Sequence, residues 1–176
     1  MNDTAQTFIA KARSLLNEDY LPKIERCLEK LSDEDVWWRA NTESNSIGNL
    51  LLHLTGNVRQ WIVSGIGGAP DGRVRQQEFD EKSIIPRAEL LARLKQALRE
   101  VDDTLAALDS SQLLEQRLIQ GYDVGVLDAI FHVVEHFSMH TGQIILLTKM
   151  LRSANLKFYD FTDGKPKPDW QESSGQ

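Results

Sequence analysis

Four stretches of the chain repeat apolar residues every three or four positions, the period of a helix that buries one face. The first runs from about residue 3 or 4 to residue 31, with Phe8, Ala12, Leu15, Leu16, Ile24, Cys27, Leu28 and Leu31 in phase. Pro22 lies inside it. A proline removes one helical hydrogen bond and crowds the turn before it, so a kink or local break is expected there. The segment LSDEDVWW follows as a short turn capped by Ser32. The second helix starts after NTESNS, with Asn45 or Ser46 as its N-cap, and continues through IGNLLLHLTGNVRQWIV to about Ser64. The glycines of SGIGGAPDG stop it. The third begins near Ile85 and Pro86 and ends near Leu108, and the fourth spans about Val124 to Arg152. No stretch reads as a strand with its turn chemistry.

Four helices of this kind predict an all-α fold, a four-helix bundle. About twenty residues, from Gly65 to roughly Ile84, separate the second helix from the third. Antiparallel neighbours need only about two to eight connecting residues. The length therefore predicts a long crossover between helices 2 and 3 and an up-down-down-up order. The bundle is expected over residues 1–155, and the Pro-, Gly- and polar-rich residues 156–176 as a partly ordered C-terminal arm.

Composition narrows the function classes. The 176 residues suffice for one real core, and 41% apolar with 26% charged residues exclude bulk disorder. A net charge of −6 sets nucleic acid aside as a partner, although Arg73, Arg75, Arg87 and Arg93 fall in one region. The single cysteine, Cys27, excludes an internal disulfide and a cysteine-based structural zinc site. The N-terminus lacks a signal-like apolar core and no apolar run has the length of a membrane span, so a cytoplasmic protein without membrane contact is expected.

The chemistry concentrates in histidine. Of four in the chain, three stand at intervals of four in HVVEHFSMHTGQI: His132, His136 and His140. Residues four apart on a helix are offset by about 40° and 6 Å, close enough for two imidazoles to share an ion. Residues eight apart are about 12 Å apart along the axis and cannot. Measured from the centre of the apolar arc (Val126, Ile130, Val133, Phe137, Ile144, Leu151), His140 lies nearest, His136 next and His132 farthest, in steps of about 40°. The inner pair is thus His136 with His140, and His132 is expected to project outward beside Glu135 and Asp128. Two ligands rarely suffice, and the remaining histidine, His53, flanks the apolar face of the second helix. Facing helices are how bundles assemble metal sites, and a three-histidine set leaves a position open, as in catalytic zinc sites. The competing reading is an ordinary wet helix face.

Neighbouring residues are candidates for support. Asn57 sits one turn beyond His53 and can hydrogen-bond to the site, and Trp61 shares the His53 flank, where it lines a pocket or simply packs. Gln143 lies close to His136 on the wheel, as supporting or as plain surface amide. Trp37 and Trp38 pack the bundle end. The zincin pattern His-Glu-x-x-His is missing, and no Glu-x-x-His pair recurs on two helices as di-iron bundles require.

Together, SIGNLLLHLTGNVRQWI and HVVEHFSMHTGQI resemble the DinB-like superfamily, over about residues 5–152. Its signature is a histidine in the second helix and a His-x-x-x-His pair in the fourth closed by Gly-Gln, which maps here onto His53, His136, His140, Gly142 and Gln143. The resemblance implies an up-down-down-up bundle, a homodimer, and a divalent metal ion such as zinc or nickel on three histidines. It also implies thiol-dependent transferase or isomerase chemistry, with a small-molecule thiol and an electrophile as partners. A metal with an open position would stabilise a thiolate or acidify a bound water. The alternatives are a non-catalytic, dimeric metal-binding stress-response protein, and a structural bundle whose histidines bind nothing.

Overall fold

The structure is a computed structural model and describes residues 4–162 and 164–170. The first long helix consists of α1 (Thr4–Ser14), a π-turn (Leu15–Tyr20) and α2 (Leu21–Glu29). Pro22 explains the interruption: its missing N–H breaks the regular ladder, and the Leu21 N–H reaches back five residues to the Leu16 carbonyl. The helix therefore widens by one turn and continues. Ser32 then caps α3 (Asp33–Trp37) in a reciprocal capping box with Asp35.

The second long helix is α4 (Ile47–Val58), extended by a π-turn (Arg59–Ser64). Its N-cap is Ser46, whose hydroxyl accepts from the Asn49 N–H while Asn49 Oδ1 accepts from the Ser46 N–H. The connection to the third helix is not bare chain, because α5 (Arg75–Asp80) forms inside it. The third and fourth long helices are α6 (Arg87–Ala107) and α7 (Val126–Arg152). The core lies between the four, with Ile24, Leu51, Leu54, Leu94, Val101, Val133, Phe137 and Ile144 all essentially inaccessible.

Side-chain pairs show how the helices lie against one another. Arg13 meets Asp102 and Arg87 meets the Leu28 carbonyl, so the first helix and α6 run in opposite senses. Trp37 joins the start of α4 to the start of the third-helix region, since its indole covers Gly48 and its N–H bonds to Ile85 O. Arg59 pairs with Glu100 at the other end, so α4 and α6 run in the same sense. His53 and Asn57 face His136 and His132 respectively, so α4 and α7 are antiparallel.

The reading that no segment forms a strand is corrected. After a 3-10 turn (Ser110–Leu114), β1 (Gln116–Ile119) and β2 (Tyr122–Gly125) form an antiparallel hairpin. Gln120 and Gly121 both have positive φ, 54° and 83°, the backbone of a two-residue hairpin turn whose twist matches its strands. Ile119 tucks against Gly65, tying the hairpin to the end of the second helix. The C-terminal arm also carries order: β3 (Tyr159–Asp160) pairs with β4 (Lys167–Pro168) and lies on the first helix. Arg26 holds it through the Lys157 carbonyl and Asp169, and Trp170 Nε1 donates to the Glu18 carbonyl.

Candidate metal centre

The antiparallel packing of α4 on α7 brings three imidazoles together. His53 Nε2 lies 3.0 Å from His136 Nε2, which lies 3.2 Å from His140 Nε2. Three nitrogens about 2.0–2.1 Å from one tetrahedral ion would stand roughly 3.3 Å apart. His53 and His140 are buried, and His136 is half-buried between them.

Hydrogen bonds on the far side of two rings fix which nitrogens face inward. His53 Nδ1 is 2.8 Å from Glu78 Oε2 and His140 Nδ1 is 2.7 Å from Gln143 Oε1. Both partners are acceptors: burial alone would raise the Glu78 carboxyl, but hydrogen bonds and charge from His53 and Arg73 outweigh it and hold the group ionised. Each of these rings therefore carries its proton on Nδ1 and turns an Nε2 lone pair toward His136. Both lone pairs converge on His136 Nε2, which either answers one of them with its own N–H or, with its proton on Nδ1, adds a third lone pair to a set that a cation would hold. Burial, and then repulsion from its neighbours, push His136 down to about 3, and burial also lowers His140, so neither supplies that cation by taking a proton at neutral pH. The donor set fits a divalent ion, and the carboxylate and amide behind the rings are the supports such ligands ordinarily have.

Glu78 and Arg73 join the histidine cluster from the crossover, and the sequence reading missed them. The crossover folds back so that α5 lies on α4, fastened by Asn49 Nδ2 to the Glu78 and Glu81 carbonyls at 2.9 and 3.0 Å. Arg39 also donates to the Glu81 carbonyl. Arg73 grips both Glu78 oxygens, at 2.7 and 2.9 Å, and fixes the carboxylate against His53. Gly56 makes this possible, since a Cβ there would collide with Glu78 Oε1 and Arg73 Nε. A polar stripe on an apolar helix, Asn49, His53 and Asn57, was the available sign that something polar must cover α4.

The other predicted residues distribute differently. Gln143 supports His140 rather than His136. His132 does not project outward: it is half-buried, with its ring 4.1 Å from that of Trp61, and Asn57 Nδ2 reaches it at 3.5 Å. Asn57 accordingly bonds to the fourth histidine and to none of the three that converge. Trp61, on the π-turn of the second helix, forms with His53, His132, His136, Asn57 and Arg73 the walls of a cavity of about 140 Å³ beside the ring nitrogens. A larger cavity, about 500 Å³, lies behind the Arg73–Glu78 pair and is lined by none of the histidines.

Fold and site together define a helical bundle with a three-histidine cluster able to hold a metal. The pattern of the family described as "Protein of unknown function (DUF1572)" matches residues 3–165, and the chain belongs to that family and, with it, to the DinB-like superfamily. None of the curated proteins matches the sequence. Among solved structures, the chain is similar to a conserved protein from Enterococcus faecalis, with a TM-score of 0.67 at 12% identity, over 82% of this chain and 97% of that one. It is also similar to a DinB-like protein from Bacillus cereus, with a TM-score of 0.61 at 14% identity, over 75% and 85% of the two chains. Likeness at this identity establishes the fold alone. No helix among the described residues is long and apolar enough to cross a membrane.

Proposed function

We propose that this protein is a divalent-metal-dependent enzyme of the thiol-transferase type, with zinc or nickel on His53, His136 and His140 and a low-molecular-weight thiol as co-substrate. The observation that carries the reading is the set of three inward ring nitrogens, two of them aimed by Glu78 and Gln143. A cation held by these three histidines would favour the ionised form of a bound thiol at neutral pH. The chain's own residues hold the rest of the site. Glu78 keeps the proton of His53 on Nδ1, Arg73 holds Glu78, and Trp61 with His132 walls off solvent on one side.

The test is turnover. Metal-loaded protein is assayed with a panel of small thiols and a chromogenic electrophile, beside His136→Ala. The reading expects a rate above background with at least one thiol that disappears in the variant. Equal rates in the two proteins, or none with any thiol, contradict it.

A homodimer belongs to the same proposal. Phe131, Met139, Leu146 and Met150 leave an apolar stripe exposed along α7, with Gly142, open on its outer side, in the middle. Glu135 and Lys149, both exposed, lie seven residues before and after that glycine. Two copies of α7 crossing antiparallel at Gly142 set Glu135 opposite the partner's Lys149 and cover the stripe. Sedimentation then finds a dimer that Leu146→Glu converts to monomer. A wild-type monomer contradicts this face.

A further inference from the structure

The cavity beside the histidines has walls of one sign. Two arginines, Arg73 and Arg75, line it together with Asn57, Trp61, Gln120 and the rings of His53, His132 and His136, and no carboxylate does. For a chain of net charge −6 this is a local reversal of the overall field. The two arginines differ in how far they are committed. Arg73 spends its donors on Glu78 and on Gln60 Oε1. Arg75 has no carboxylate partner among the described residues; its guanidinium lies 4.8 Å from the Phe79 ring centroid, and Phe79 in turn lies 4.8 Å from the His53 ring. Stacking fixes its position while leaving its N–H donors free.

Other walls are also incompletely bonded. Trp61 Nε1 and Asn57 Oδ1 are buried without a partner, which marks a place where water or a ligand completes the bonding. Gln120, at the tip of the β1–β2 hairpin, lines the cavity and donates from Nε2 to Gln60 Oε1. The volume of about 140 Å³ holds roughly five water-sized groups at ~30 Å³ each.

We propose that this cavity receives the carboxylate of a small anionic thiol, with Arg75 as the residue that selects the charge and the three-histidine cluster taking the sulfur end. The inference rests on the metal reading and adds to it the substrate class. Arg75 acts on binding, through charge-assisted hydrogen bonds to the carboxylate. A neutral thiol of the same size leaves that guanidinium unused.

The test uses the full chain loaded with cobalt(II), whose visible absorption reports the site and whose near-ultraviolet absorption reports a bound thiolate. Mercaptoacetate, with about five heavy atoms, is titrated against neutral 2-mercaptoethanol in wild type, Arg75→Gln and Arg75→Lys. The proposal expects mercaptoacetate to bind more tightly by roughly tenfold or more. Arg75→Gln removes that preference while leaving 2-mercaptoethanol unchanged, and Arg75→Lys restores part of it. Equal binding of the two thiols by wild type overturns the proposal. So does a preference that survives Arg75→Gln, which places the carboxylate on the cation itself. Failure to take up cobalt overturns the metal reading instead, and the subsite falls with it; circular dichroism of each variant confirms that this exposed residue is not needed for folding.

Discussion

Two seams of the bundle are filled in opposite ways. Between the first helix and α6 the interior positions are Ile24, Leu28, Leu94, Leu98 and Val101, all buried, and charge is kept to the rim, where Arg13 meets Asp102 and Lys95 meets Glu25. Between α4 and α7 the interior contains His53, Asn57, His132, His136 and His140. Apolar burial stabilises without needing partners, whereas each buried polar group costs free energy until something bonds to it. The first seam is therefore complete within two helices. The second needs Glu78 and Arg73 from the crossover and Gln143 from the neighbouring turn, and three ring nitrogens still face one another. One seam holds the fold; the other gives up stability to present a site.

That contrast can be broken at several points, beginning with the largest effect. Leu98→Ala in the apolar seam should destabilise the metal-free protein by about 2–5 kcal/mol, since a rigid core collapses only partly around the lost atoms. Urea unfolding measures it, and the metal affinity of the folded variant should stay within about twofold of wild type.

The polar seam should instead reveal itself through pH. His136 is pushed from 6.5 down to about 3 in the fold, with burial the main cause. Between those values the unfolded chain binds the extra proton, so this contribution to stability is whole above about pH 6.5 and is lost as pH falls toward 3. Each pH unit in that window costs up to about 1.4 kcal/mol. The urea midpoint of metal-free protein should accordingly fall between pH 7 and pH 5, and fall less in His136→Asn. Equal slopes in the two proteins contradict the buried, neutral ring.

A smaller effect is expected behind the ligands. Glu78→Gln keeps the shape but weakens the acceptor that orients His53, and metal affinity measured by chelator competition should drop about 10- to 100-fold. Asp102→Asn, at the half-exposed rim of the apolar seam, should cost less than about 1 kcal/mol and leave the metal untouched. A larger effect there than at Glu78 would reverse the comparison.

The legible and illegible parts of the sequence divide along the same line. The four helices could be read because a 3.6-residue apolar period records burial directly, and Ser46 and Pro22 mark local backbone chemistry that acts within a few residues. His53, His136 and His140 stood out because histidine is scarce here and its spacing repeats. Glu78 did not, because it lies in a polar crossover where a carboxylate is ordinary; only the fold-back of α5 onto Gly56 makes it a partner of His53. The hairpin was missed for a related reason: its strands have four residues each and Leu118 and Tyr122 stay exposed, so the usual in-out alternation is weak, and Gln120–Gly121 was its clearest mark. Gln143 was placed on the wrong ring because a wheel gives angles, while an amide reaches a ring three residues away along the axis.

If three imidazoles from two helices hold one divalent cation, metal analysis of protein purified without an affinity tag, beside His136→Ala, will show it. One equivalent of zinc or nickel per chain is expected in wild type and none in the folded variant. Metal-free wild type that refuses zinc, nickel and cobalt alike, or a variant that retains the full equivalent, would contradict it.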